Sequence, residues 1–209
     1  MSLETAKIHL CELAKMAYDR RLLDSAGGNF SLRFDGRILC TPRYSGSKRQ
    51  WSVKPSEIVV MLGDGTVLEG EGETSRETQM HLAIYRTFPE AGGVCHAHPY
   101  NALIFASMRR PIPPTSEQTE KYGTIELTEA VPAHSEALAK TVVETLAPKR
   151  DKLAKHAIAC LIPYHGITVA GRDIDDAYDA LERIDTSCHI LTARAIFEGM
   201  GATREVSRG

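Results

Sequence analysis

The tightest constraint on this chain is the run Gly93-Val94-Cys95-His96-Ala97-His98-Pro99. Residues 94–98 are short and apolar apart from the two histidines, follow a glycine pair and read as a buried strand. On a strand, residues two apart share a side. His96 and His98 therefore present two imidazoles to one point, while Cys95 and Ala97 face the other way. One histidine on an apolar strand is ordinarily structural. Two at this spacing, followed by proline and a helical pattern over 100–108, point to a metal. A third candidate, His165, lies far downstream in Pro163-Tyr164-His165-Gly166. Three imidazoles and an open position form one pattern of a catalytic zinc site.

The segments around this strand alternate between helical and extended periodicity. Helices are expected over 3–23, from Thr74 onward, over 134–146, and from the cap Asp173 to about Phe197. Strands are expected over 30–34 and 37–41 about the Asp35-Gly36 turn, then over 57–62, 124–128, 157–162 and 167–170. Gly27-Gly28-Asn29 reads either as an ordinary glycine turn or as amides that hold an anion. The loop 42–49 carries hydroxyls, a glycine and three cations, and suits either a phosphate or plain solvent.

Glu77 has two readings. Thr74-x-x-Glu77 fits a capping box, which makes Glu77 a helix-start residue. Alternatively it is a carboxylate aimed at the histidines. His81 shares its helix face at i,i+4 and reads first as an ordinary helix histidine. His134 and His189 have no patterned partners and read as structural.

Bulk properties narrow the function. The 209 residues suit one domain spanning 1–209. A net charge of −2 without long single-sign runs argues against a large nucleic-acid footprint. Five scattered cysteines without a Cys-x-x-Cys pair suggest reduced thiols and a cytoplasmic location. No leader or membrane-spanning run is evident.

In order and spacing, Gly27-Gly28-Asn29-Phe30-Ser31, Ser45-Gly46, Ser75-Arg76-Glu77, His96-Ala97-His98 and His165-Gly166 resemble the class II aldolase family. That family contains L-fuculose-1-phosphate aldolase, L-ribulose-5-phosphate 4-epimerase and the non-enzymatic adducin head domain. The resemblance implies a three-layer α/β/α sandwich around a mixed, largely antiparallel sheet, and a homotetramer with active sites between subunits. It implies His96, His98 and His165 as ligands of one Zn2+ per chain, Glu77 as acid/base, and Asn29, Ser45, Gly46 and Ser75 around a substrate phosphate. Arg76 departs from the fuculose enzyme, which has a second serine there, and adds a cation beside either that phosphate or the reacting end of the substrate. The aldolase's mobile tyrosine has no counterpart at its position near Glu117; Tyr122 is the nearest candidate. No tyrosine follows Phe197.

The implied activity is retro-aldol cleavage of a phosphorylated ketose through an ene-diolate that zinc stabilises as a Lewis acid. Loss of CO2 from a keto acid phosphate reaches the same intermediate, and Arg76 suits a carboxylate. Epimerisation of a sugar phosphate is a further alternative. A non-enzymatic binding module has no use for His96, His98, His165 and Glu77 together.

Overall fold

The computed structural model describes residues 1–201, and the last part of the tyrosine-free tail, 202–209, lies outside the described residues. In chain order the helices are α1 (Leu3–Asp19), α2 (Ser45–Arg49), α3 (Thr78–Thr87), α4 (Tyr100–Met108), α5 (Glu117–Glu120), α6 (Glu136–Leu146), α7 (Arg150–Leu153) and α8 (Ile174–Gly199). The strands are β1 (Asn29–Phe34), β2 (Arg37–Cys40), β3 (Val59–Met61), β4 (Val67–Glu69), β5 (Gly93–Ala97), β6 (Glu126–Leu127), β7 (Ile158–Ile162) and β8 (Gly166–Gly171). They form one sheet in the order β4-β3-β2-β1-β5-β8-β7-β6. Every pairing is antiparallel except β6 with β7. The expected mixed, largely antiparallel α/β/α architecture is the one observed.

The pleat sorts the side chains into two cores. On β7, Ile158, Cys160 and Ile162 join α3 and α6, while Ala159 and Leu161 join α1, α4 and α8. On β5, Val94 faces α3 and α6, whereas Cys95 and Ala97 face the other layer. The β1–β2 hairpin turns at Asp35 (φ +49°) and Gly36 (φ +73°). Two left-handed residues match a type I′ turn, whose twist suits the flanking strands.

Two close approaches fix the strand that carries the histidines. A Cβ on Gly93 would lie 2.3 Å from Ile174 Cα, so the start of α8 sits directly on β5. Asp173 Oδ1 accepts the Asp176 amide at 2.7 Å and caps that helix start, as its position in the sequence predicts. Further along α8, the Asp185 carboxylate accepts the amides of Asn101 (3.1 Å) and Ala102 (2.9 Å) and the Asn101 side chain (2.8 Å). It thereby satisfies the open N-terminus of α4, which begins two residues after His98.

Several boundaries differ from expectation. α1 stops at Asp19 because the chain turns through Arg21 (φ +62°) to bury Leu22 and Leu23. The 42–49 loop contains the short helix α2; in the extended 124–128 segment Glu126 and Leu127 pair with β7, and Ile125 bridges to Ile112. All five cysteines are free and buried. Among the described residues, no helix is long and apolar enough to cross a membrane.

Gly93→Ala should lower the melting temperature, because the new methyl meets backbone rather than a mobile side chain. Overpacking of this kind costs about 1–3 kcal/mol, and for a chain of this size each kcal/mol is worth about 2–4 °C. A thermal melt should therefore fall by about 2–12 °C; an unchanged melt would contradict this packing.

Candidate active site

The β1–β5 register sets Asn29 directly opposite His96, and the β5–β8 register sets His96 opposite Thr168. All three lie on the face covered by α3 and α6. His98 follows the last residue of β5, and His165 sits in the turn between β7 and β8, its amide bonded to Ile162 O at 3.1 Å. Gly166 makes that turn possible: a Cβ there would lie 2.4 Å from Ala97 O and 2.7 Å from His98 Cδ2.

These positions bring the ligand atoms of His96, His98 and His165 within 4.8 Å of one another. Hydrogen bonding decides which nitrogens face the cluster. His96 Nδ1 lies 3.1 Å from the Ile167 carbonyl, which only accepts, so Nδ1 carries the proton and Nε2 is bare. Burial, reinforced by the neighbouring imidazoles of His98 and His165, pushes the His96 pKa well below its ordinary value. A second proton is therefore strongly disfavoured. Burial also lowers the His165 pKa, against the pull of Glu77. His98 turns Nδ1 toward Asp24 Oδ1 at 3.5 Å. Burial alone would raise the Asp24 pKa, but hydrogen bonds from His98 and from the Gly27 and Ala26 amides hold it below the usual range.

The bare His96 Nε2 lies 3.3 Å from His98 Nε2 and 3.1 Å from Glu77 Oε2. Electron pairs crowd one point there without enough protons between them, which calls for a cation. Two ligands at about 2.0–2.1 Å from a tetrahedral ion stand about 3.3–3.4 Å apart, so the imidazole pair is already at a suitable edge length. The three imidazoles beside a carboxylate fit a divalent metal.

Glu77 is not the capping residue that the capping-box pattern allows. α3 begins at Thr78, and the Glu77 side chain makes no cap hydrogen bond. It turns inward and is 4% exposed. Oε2 accepts from Asn29 Nδ2 at 3.0 Å. Oε1 is buried without a hydrogen bond, although His165 Nε2 and His134 Nδ1 stand 3.3 and 3.5 Å away. His81 is no bystander either: its Nε2 bonds Asn29 Oδ1, and its Nδ1 lies 2.6 Å from Ser31 Oγ.

The cluster opens into a cleft of about 180 Å3, below the roughly 300–1,000 Å3 that suits drug-sized ligands. Asn29, Ser45, Gly46, Ser75 and Arg76 all line it. The Ser45 hydroxyl is committed to Pro42 O at 2.6 Å. Of the loop's three cations, only Arg43 faces the cleft, with its Nε buried and unpaired. Lys48, over the Tyr44 ring, and Arg49, paired with Glu57, do not line the cleft.

Tyr122 does not join this site. It is 2% exposed in the core against α8, its hydroxyl has no hydrogen-bond partner, and it does not line this cleft. His134, expected to be structural, lines the cleft just before α6 with φ +62°. Asp24 also enters the site, through His98. Neither residue carries a spacing signal, because each reaches the site from a turn.

A family model described as Class II Aldolase and Adducin N-terminal domain matches residues 8–192. A 5-deoxy-D-ribulose 1-phosphate aldolase of Bacillus thuringiensis serovar kurstaki is 27% identical over 183 residues, covering 84% of this chain and 81% of that protein. An L-ribulose-5-phosphate 4-epimerase of Salmonella paratyphi A is 28% identical over 158 residues, covering 71% and 68%. A solved L-fuculose 1-phosphate aldolase superposes with a TM-score of 0.79 at 25% identity, covering 91% of this chain and 86% of that one.

Divalent metal should stabilise the wild-type protein against heat by about 2.7 kcal/mol at a hundredfold excess over the dissociation constant. His96→Ala and His165→Ala should lose that gain and their bound metal. Full metal content in both variants, measured by elemental analysis, would contradict the ligand set.

Proposed function

We propose that this chain, which belongs to the class II aldolase and adducin family, is a zinc-dependent aldolase that cleaves a phosphorylated ketose by a retro-aldol reaction. The observation that carries this reading is Glu77: a carboxylate released from helix capping, buried beside three convergent imidazoles, with one oxygen unpaired toward the cleft. A binding module has no use for that arrangement.

In this reading His96, His98 and His165 hold the metal, which when bound supplies Lewis acidity toward a substrate carbonyl. Glu77 Oε1 is the free oxygen, since Oε2 is held by Asn29. Oε1 takes the proton that the substrate hydroxyl releases as the carbon–carbon bond breaks and passes it to the carbanion carbon, and the same proton runs back in the synthetic direction. Asn29, Ser45, Gly46 and Ser75 surround the phosphate, with Arg76 at the exposed rim of the cleft. Residues 1–209 act as one catalytic domain. The exposed Tyr100, Ile104 and Met108, at helical spacing on α4, and Tyr164 beside His165 offer an apolar contact next to the site. That surface supports a tetramer with sites between subunits.

One observation favours a second reading. Arg43, whose Nε is unpaired although its guanidinium also faces Glu73 at 3.7 Å, and Arg76 put two guanidinium groups on the cleft, one for a phosphate and one for a carboxylate. This would suit decarboxylation of a keto acid phosphate.

Glu77→Gln should keep its metal and its melting temperature, because no cap bond is lost, while turnover falls by about 10²–10⁴-fold. Unchanged turnover would remove Glu77 from the chemistry. Arg76→Ser separates the two reactions. For an aldolase, KM for the ketose phosphate rises and kcat holds. For a decarboxylase, kcat/KM for CO2 release falls by about one to two orders of magnitude, the cost of unpairing a carboxylate.

A further inference from the structure

Six polar side chains form a continuous path from behind the cleft to its wall. Tyr85 OH lies 2.9 Å from Ser31 Oγ, and Ser31 Oγ lies 2.6 Å from His81 Nδ1. His81 Nε2 meets Asn29 Oδ1, and Asn29 Nδ2 reaches both Glu77 Oε2 (3.0 Å) and Ser75 Oγ (3.1 Å). Ser31, His81 and Tyr85 are all buried and none touches the cleft.

We propose that His81 is a positioning residue: with Ser31 and Tyr85 behind it, it fixes the direction of the Asn29 amide and so commits Ser75 to donate to a bound anion. The inference rests on the aldolase reading of the cleft and goes behind it, to residues that never meet substrate.

The direction follows from proton bookkeeping. Asn29 Nδ2 donates to Glu77 Oε2 and to Ser75 Oγ, so the NH2 group of the amide faces the carboxylate. Asn29 Oδ1 then faces His81 and needs a donor there, so His81 carries its proton on Nε2. Nδ1 is left as an acceptor and takes the Ser31 hydroxyl proton. Ser31 Oγ in turn accepts from Tyr85, whose phenol burial keeps protonated. Burial pushes the His81 pKa down to about 4, against the pull of Glu77, so the ring is neutral near pH 7. The reverse direction sets the Asn29 carbonyl against the Glu77 carboxylate and leaves one of the two buried hydroxyl protons, of Ser31 or of Tyr85, without an acceptor in the path.

The other end of the path reaches the ligand. Ser75 Oγ accepts from Asn29 Nδ2 and from the Glu77 amide at 3.3 Å. Both lone pairs are thereby used, and what remains of the hydroxyl is its proton. The same Asn29 amide also holds Glu77 Oε2, so anion binding and proton transfer depend on one side-chain orientation.

The test has two arms. In the zinc-loaded wild-type protein, nitrogen-15 NMR of the imidazoles should show His81 with its proton on Nε2 and a bare Nδ1 between about pH 5.5 and 8; its signals are assigned by their absence from His81→Gln. A proton on Nδ1, or a doubly protonated ring near neutrality, would overturn the direction. In kinetics on a phosphorylated ketose, His81→Phe should keep its metal but lose about 10- to 100-fold in kcat/KM, with KM raised and kcat lowered together. His81→Gln, whose amide can replace both ring contacts, should recover most of that loss. Lost stability with unchanged KM and kcat would make His81 merely structural and overturn the proposal. If no phosphorylated substrate turns over, the aldolase reading fails and the NMR arm still decides the path. Turnover alongside the wrong tautomer would remove the path and leave the aldolase.

Discussion

The register between β1 and β5 is the constraint on which the rest depends. It places Asn29 beside His96 on the face under α3. Side chains on a strand alternate, so a slip of one residue would turn His96 into the apolar layer and bring Cys95 to the metal point. That slip is opposed at both ends. Gly93 is pinned beneath the start of α8, and Gly28 lies so close to His96 O that an added Cβ would stand 2.9 Å from it. The glycines beside the site therefore act less as loose joints than as spacers that no other residue can replace.

Burial then turns geometry into electrostatics. A carboxylate and several imidazoles with few protons among them are costly to take out of water. Glu77 is 4% exposed and His96 is fully buried. Without a cation, that cluster opposes folding; with one, it supports it. Binding and folding are coupled at such a site, and ligand protonation is coupled to both.

Much of this was legible in the sequence. His96 and His98 announced themselves because strand alternation converts an i,i+2 spacing directly into a shared side. His165, Asn29, Ser75 and Arg76 were found through the order of several short motifs, none diagnostic alone, and all four line the same cleft. Glu77 was ambiguous for a physical reason: one sequence pattern serves both a helix cap and an acid placed at a helix start, and only the direction of the side chain separates them. His134 and Asp24 were hidden because turns carry no periodicity. Tyr122 misled because closeness in sequence to a family position says nothing of burial; its ring belongs to the core under α8.

The sheet separates the molecule into two cores with unequal duties. The layer of α1, α4 and α8 packs through aliphatic and aromatic contacts, whereas the α3 side also carries the imidazoles, Asn29, Ser31 and Glu77. Swaps that conserve volume in an apolar core usually cost less than about 1.5 kcal/mol, and on the first layer they would leave every donor and acceptor of the cleft in place. A lineage of such chains can thus drift freely on one side of a membrane-thin partition while the other side is held nearly still. Sequence divergence should accordingly accumulate by face, and two descendants could look unrelated along α1 and α8 yet share a chemistry read from α3.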